Sequence, residues 1–369
     1  MIIGSVKELK TAERRVGLTP STSKQYIDAG HRVIVEKGLG VASGFSDKDY
    51  KLAGAEILEK KEAIWKQADM IVKVKEPIKE EYGLMRENQT IFTYFHLAAN
   101  KELTSALIDN KVNAVAYETV EDKAGSLVLL KPMSELAGKL AILEGSKYLQ
   151  SHYGGKGILL SASSNVNGAN VLIIGAGSVG YNALLEAFHL NANITVLVRS
   201  EKSKKRLLKE FENKIKVMIN NKENLENALK TADLIVSSVL SVGAKAEKLI
   251  KKEHLKLIEK GSVFVDVAID QGGSSEMSRP TTHLNPIYNV DGVIFYCVAN
   301  MAGSIPKTAS IALANKTVDY GLKIANKGLE KAVLEDQGLR KGINIYKGSL
   351  VNKAVAKALN LKSFSLKIN

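Results

Sequence analysis

Four polar residues in the first third of the chain lie at or past the end of an apolar run, the first of them after an intervening polar loop. They are Arg15 in TAERRVGLTP, Lys75 in MIVKVKEP, His96 in TIFTYFH and Glu118 in NAVAYETV. If those runs are parallel strands, their carboxyl ends form the edge at which open α/β sheets bind ligands. Two cations and a histidine at such an edge suit a small carboxylate that carries a reactive carbonyl. An arginine clamps a carboxylate through paired N–H groups, and a lysine polarises a carbonyl oxygen. A histidine titrates near neutrality and moves a proton. Glu118 can orient one of these groups, bond to a neighbouring loop or pair with Lys75. Each residue also has a plain structural reading: a surface arginine, a strand exit, a satisfied core histidine. Further along, Asp270 in FVDVAIDQGG lies just past another apolar run, and Asn300 and Met301 end the next one. They can line the same cleft, whereas Asp266 lies inside its run and reads as structural.

The stretch VLIIGAGSVG carries a second kind of chemistry. Gly175, Gly177 and Gly180 form G-x-G-x-x-G after an apolar run and before a helical pattern. The first glycine permits a tight turn, the second lets backbone approach a pyrophosphate, and the third permits close helix–strand packing. Ser178 and Val179, where the helix opens, belong to the same dinucleotide-binding loop. An acid at the end of the following strand usually bonds the ribose of NAD. That place in ITVLVRSEKSKKR is held by Val198, which accepts no hydrogen bond. Arg199, Ser200 and Lys202 follow it. They can receive the 2′-phosphate of NADP, or they can be the solvated opening of the next helix. NAD is the expected cofactor, with NADP left open.

These residues need elements to hold them. Apolar runs alternate with helical patterns through both halves, which argues for parallel sheets covered on both faces. The expected fold is α/β, with two Rossmann-like domains. Residues 128–305 read as the dinucleotide-binding domain, opening on a long helix with Pro132 at its start. The tail reads as helix, with Ser304 available as its cap and Pro306 in its first turn. It holds too few strands for a third domain. Residues 1–127 and 306–369 therefore read as one discontinuous substrate domain, completed by the C-terminal helices.

Composition narrows the classes. The net charge of +13 could draw nucleic acid, but the lysines are spread through amphipathic segments and KSKKR is the one dense run. Nucleic acid is not an expected partner. No window approaches the roughly 18 apolar residues of a membrane span. The charged opening MIIGSVKELK does not read as a signal peptide. One cysteine, Cys297, excludes an intrachain disulfide and reads as core. Six histidines show no spacing for a zinc site, so no metal is expected. A cytoplasmic enzyme is the plain expectation.

The assembled motifs resemble the alanine dehydrogenase family, which is related to the nucleotide-binding component of transhydrogenase. The resemblance runs through ERRVGLTP, VKVKEPIKEEYG, FTYFHLAAN, LLKPMSELAGKLA, IIGAGSVGYNA, DVAIDQGG and FYCVANMAGSIPKTAS. It implies reversible oxidative deamination of L-alanine to pyruvate and ammonium with NAD. It implies that Arg15 holds the substrate carboxylate, that Lys75 binds substrate and polarises its carbonyl, and that His96 and Asp270 are the acid/base pair. It places Tyr94 and Met133 around the small side chain, Ser134 near the cofactor phosphates and Asn300 near the nicotinamide. Val239 and Leu240 belong to a loop on the adenine side. A chain closing over its substrate, assembled as a hexamer, is also implied. Two departures stand out: Val198 where the family has an acid, and SASSNVNG at 161–168 where it has a loop like G-G-V-P-G-V. A related amino-acid dehydrogenase with another substrate and a non-catalytic dinucleotide-binding protein are the rival readings.

Overall fold

The structure is a computed structural model that describes residues 1–239 and 247–368. It divides into two compact units, Met1–Met133 with Ile305–Asn369, and Ser134–Ser304.

In the first unit, strands and helices alternate: β1 (Ile2–Ser5), α1 (Pro20–Asp28), β2 (Arg32–Glu36), α2 (Asp47–Leu52), β3 (Glu56–Leu58), α3 (Lys61–Gln67), β4 (Met70–Val72), β5 (Thr90–Thr93), α4 (Lys101–Asp109) and β6 (Asn113–Ala116). All six strands pair in parallel, in the order β6-β5-β4-β1-β2-β3. Strands β4, β5 and β6 are buried at every position, as a sheet covered on both faces requires. Helix starts follow from local chemistry. Thr19 caps α1 in a reciprocal bond with Thr22, with Pro20 in the first turn, and Ser46 caps α2 with Asp49 in the same way.

Helix α5 (Lys131–Tyr148) carries the chain out of the first unit, and the break falls within its first turn. The second unit continues with β7 (Asn170–Ile174), α6 (Ser178–His189), β8 (Asn193–Val198), α7 (Glu201–Glu210), β9 (Lys216–Ile219), α8 (Lys222–Leu229), β10 (Leu234–Ser237), β11 (Val263–Asp266), β12 (Ile287–Val290) and β13 (Val293–Tyr296). Its sheet runs β12-β13-β11-β10-β7-β8-β9. Read from β9, the first five strands after it keep the doubly wound order, with the strand order reversing at β7 and β10. Among the described strands of this sheet the antiparallel member is β12, joined to β13 by a tight turn through Asp291 and Gly292.

The tail returns to the first unit as α9 (Pro306–Lys327), α10 (Leu329–Glu335), α11 (Gln337–Gly342), β14 (Ile343–Tyr346), β15 (Ser349–Leu350) and α12 (Lys353–Leu359). It is therefore not helix alone. Strand β14 pairs antiparallel with β6, and β15 with β14, extending the first sheet at one edge. Ser304 does not cap α9. Its hydroxyl bonds the Met301 carbonyl at 2.8 Å, and Ile305 holds the cap position without a side-chain bond. Alternate residues of each strand feed opposite cores. Val33, Val35, Val72 and Phe92 pack with Tyr26 of α1 and Leu313 and Val318 of α9. Ile34, Ile71 and Ile91 pack with Trp65 of α3 and Leu103 and Leu107 of α4.

Cys297 is fully buried beside the Tyr288 hydroxyl, and burial pushes its thiol up to about 11. At about pH 8 it stays a protonated, inaccessible thiol, since alkylation needs the thiolate. Iodoacetamide should leave the native protein unmodified and add one label per chain only after denaturation. Stoichiometric native labelling, read by mass spectrometry, would refute the buried placement.

Candidate active site

In the first unit the four polar residues sit past the strands, as their positions in sequence suggest. Strand β4 stops at Val72, so Lys75 lies three residues beyond it, and β5 stops at Thr93, three residues before His96. Glu118 lies in a short 3-10 turn, Tyr117–Thr119, directly after β6.

Arg15 is almost fully buried. Its Nε and Nη2 bond the two oxygens of Glu13 at 2.7 and 2.5 Å, while Nη1 lies 3.1 Å from the Met133 sulfur. Burial works against the guanidinium charge, but the Glu13 carboxylate outweighs it and raises the Arg15 pKa. Burial likewise opposes the Glu13 charge, and Arg15, with Lys75 nearby, holds that carboxyl below its ordinary value. Glu13 is a site residue the sequence reading missed. The signal was its place two residues before Arg15, too short a spacing to read as a pair without the loop geometry.

Tyr94 bridges to the next group. Its hydroxyl donates to the Leu129 carbonyl at 2.6 Å, and burial raises its pKa against the pull of Arg15. The His96 ring stacks on Tyr94 with centroids 6.1 Å apart and planes 11° from parallel. The His96 ring side is exposed, and its backbone is left-handed at φ 51°, ψ 39°. Such a conformation is uncommon for a residue with a side chain. It is held from behind: Glu118 accepts the N–H of His96 at 2.6 Å and that of Phe95 at 3.1 Å. Of the alternatives for Glu118, the structure selects the loop bond that fixes His96. Arg15, Met133, Tyr94, His96 and Glu118 thus form one connected constellation, with Lys75 beside Glu13.

In the second unit, Gly175 has φ +96° and Gly180 packs so closely that a Cβ there would meet the Gly175 carbonyl at 2.1 Å. A Cβ on Gly177 would meet no protein atom within 4 Å. Gly177 precedes α6 without any side-chain cap, and Ser178 and Val179 form its first turn, so the helix start offers N–H groups to a ligand. These features fit a pyrophosphate. Ser238, also missed, braces the turn: its hydroxyl bonds the Ile174 and Gly175 carbonyls at 3.0 and 3.2 Å. Val198 is the last residue of β8 and buried, whereas Arg199, Ser200 and Lys202 are exposed. Ser200 caps α7 by accepting the Ser203 N–H.

Asp270 is exposed in a 3-10 turn just after β11. Asp266 anchors that loop, accepting the N–H of Ala268 at 3.1 Å and of Ser274 at 2.7 Å and the hydroxyls of Ser274 and Ser278. Lys248 donates to the carbonyls of Gly272, Gly273 and Ser275. Asn300 is left-handed at φ 58°, and Met301 next to it is buried. Ser134 is half-buried in the first turns of α5, and Val239 is buried after β10. Leu240 lies outside the described residues. Among the described residues no group of three or more His, Cys, Asp or Glu gathers as a metal site, and no helix is long and apolar enough to cross a membrane.

Known proteins share both units. Residues 4–137 match the alanine dehydrogenase/PNT N-terminal domain, and residues 141–353 match the corresponding C-terminal domain. An alanine dehydrogenase from Methanococcus maripaludis is 47% identical over 98% of this chain and 97% of its own length. One from Bacillus subtilis is 47% identical over 97% and 95%. A solved structure of an L-alanine dehydrogenase superposes with a TM-score of 0.94 at 41% identity, covering 98% of this chain and 99% of its own.

The Arg15–Glu13 pair is buried and mutually dependent. Glu13→Ala should cost about 3–5 kcal/mol, the usual loss when one partner of a buried pair is removed. Urea unfolding measures it, and a cost near zero would contradict the pairing. Glu13 has a depressed folded pKa, so its contribution is present above its unfolded value of about 4.3 and is lost as pH falls through the folded value. The gap between wild type and variant should narrow in acid.

Proposed function

The chain belongs to the alanine dehydrogenase/PNT family, and from that premise we propose that it interconverts L-alanine with pyruvate and ammonium. It is an NAD(P)-dependent enzyme with a Rossmann cofactor domain. The observation that carries the substrate reading is the constellation in the first unit: a buried arginine held by Glu13, a lysine beside it, and an exposed histidine fixed in a left-handed turn by Glu118.

In this reading the alanine carboxylate meets Arg15 from its Nη1 side, because Glu13 takes the Nε–Nη2 edge. Lys75 holds the substrate and polarises the oxygen that becomes the keto group. Tyr94 and Met133 bound a space for a methyl group. A nicotinamide cofactor held at the glycine turn of Gly175, Gly177 and Gly180 would supply the hydride acceptor for the substrate Cα. His96 and Asp270 then handle the protons as water adds to the iminium carbon and the amine leaves as ammonium. Glu118 keeps the imidazole in place through the His96 backbone. Ser134, Val239, Leu240, Asn300 and Met301 complete the cofactor site together with the glycine turn. A cytoplasmic setting and an assembly of six copies belong to the same reading and rest on the family resemblance.

Cofactor choice turns on Val198. A buried valine gives the adenosine ribose no acceptor, and exposed Arg199, Ser200 and Lys202 stand where a 2′-phosphate would meet them. In our reading the enzyme uses NADH and also accepts NADPH. Arg199→Ala should weaken NADPH about tenfold more than NADH in fluorescence titrations, the worth of one charge-assisted bond. Equal weakening of both would refute the phosphate role.

Reductive amination tests the activity. Pyruvate with ammonium should drive oxidation of the reduced cofactor, and His96→Ala should abolish turnover while NADH still binds. Normal turnover by that variant would remove His96 from the chemistry. No turnover by the wild type, with cofactor bound, would remove alanine as the substrate.

A further inference from the structure

Lys73 is fully buried at the end of β4 and faces two carboxylates: Glu8 at 3.3 Å and Glu81 at 3.0 Å. Both acids are also buried, with side chains 3% and 1% exposed. One counter-ion would balance one ammonium, and a second buried carboxylate is costly unless something else holds it. The partners of Glu8 supply the reason. Its Oε1 accepts the N–H of Val74 at 2.7 Å and that of Lys75 at 3.2 Å. Past Val72 the chain is leaving the ladder: Lys73 still donates to Phe92, but the next two N–H groups turn to Glu8. Glu81 has a different duty, since it accepts the N–H of Ile78 in the following turn.

We propose that Glu8 is a positioning residue for Lys75, fixing through its Oε1 the backbone from which the lysine reaches the substrate. This rests on the reading of Lys75 as a substrate-binding group. Glu8 comes from the loop after β1, the same loop that carries Glu13 and Arg15, so one segment sets the register of both cations. The carboxylate does this by its acceptor position. Its charge answers Lys73, and Glu81 supplies that charge as well.

The two duties separate by substitution. Glu8→Asp keeps the charge but withdraws the acceptor by one methylene. Glu8→Gln keeps an acceptor oxygen toward the Val74 and Lys75 N–H groups and removes the charge, its amide nitrogen replacing Oε2 beside Lys73, which Glu81 still neutralises. Glu81→Ala removes the other counter-ion without touching Lys75. Lys75→Ala is measured alongside them. The readouts are KM for pyruvate, kcat, the Kd of NADH and the melting temperature, all on the full-length protein.

The proposal expects Glu8→Asp to raise KM for pyruvate about tenfold, in line with the cost of a sub-ångström to ångström misplacement of a binding group. NADH affinity should be unchanged. Glu8→Gln and Glu81→Ala should stay within about twofold of wild-type KM even where they melt earlier, because misplacement and charge loss are distinct effects. Overturning results are Glu8→Gln raising KM as much as Glu8→Asp, Glu81→Ala doing so, or Glu8→Asp leaving KM unchanged. If Lys75→Ala itself leaves KM unchanged in an active enzyme, the reading of Lys75 falls first. An inactive wild type would instead remove the proposed reaction.

Discussion

A backbone N–H that leaves a parallel ladder at the carboxyl end of a strand still needs an acceptor, and that constraint shapes this protein's site. Strands β4, β5 and β11 each end where the chain turns off the sheet. At β4 and β5 a carboxylate from another segment takes the released N–H groups, and at β11 the strand's own last residue does so in the loop that follows. Glu8 takes those of Val74 and Lys75, Glu118 those of Phe95 and His96, and Asp266 those of Ala268 and Ser274. The residues so fixed, or lying in the loop so fixed, are Lys75, His96 and Asp270. An unmade bond at a buried N–H costs more than a made one gains. The turns are therefore held by side-chain acceptors where Lys75 and His96 depart from them. At His96 the same carboxylate also offsets a left-handed backbone that a residue with a side chain adopts only under constraint.

The second organising feature is paired burial of charge. Arg15 is kept ionised inside the fold because Glu13 occupies one edge of it, which turns the remaining edge toward Met133. A buried arginine without that partner would be a liability for stability. With it, the guanidinium is held in one orientation; in the proposed reading, binding a small carboxylate then need not order it. Val198 is buried at the tip of β8, and Arg199, Ser200 and Lys202 beyond it are exposed; in the proposed reading these take the polar role at the adenosine end of the cofactor.

Much of this was legible in the sequence, and the gaps have physical causes. The inner parallel strands announced themselves because they are apolar on both faces. The glycine turn was legible because strand, turn and helix each left a signal. Edge strands were harder. β3 is half-exposed, and β9 begins on an exposed lysine, so neither shows a dense apolar run. The β12–β13 hairpin did carry a cue, Asp291-Gly292, a pair suited to a turn with positive φ at both positions. Strands β14 and β15 join through Lys347-Gly348, which makes the same turn with a weaker signature, so the tail read as helix alone. Among the candidate site residues, Arg15, Lys75, His96 and Asp270 stood out by type. Glu8, Ser238 and Lys248 did not, because they hold backbone far away in sequence, and Glu13 did not, because its pairing with Arg15 two residues on depends on the loop geometry.

A crystal structure of the protein with pyruvate and reduced cofactor bound would test the central claim most directly. The account predicts the pyruvate carboxylate on the Nη1 side of Arg15, its keto oxygen within hydrogen-bond reach of Lys75, and the His96 turn unchanged with Glu118 behind it. Pyruvate bound away from Arg15 and Lys75, or a His96 backbone released from Glu118 in the loaded enzyme, would contradict it.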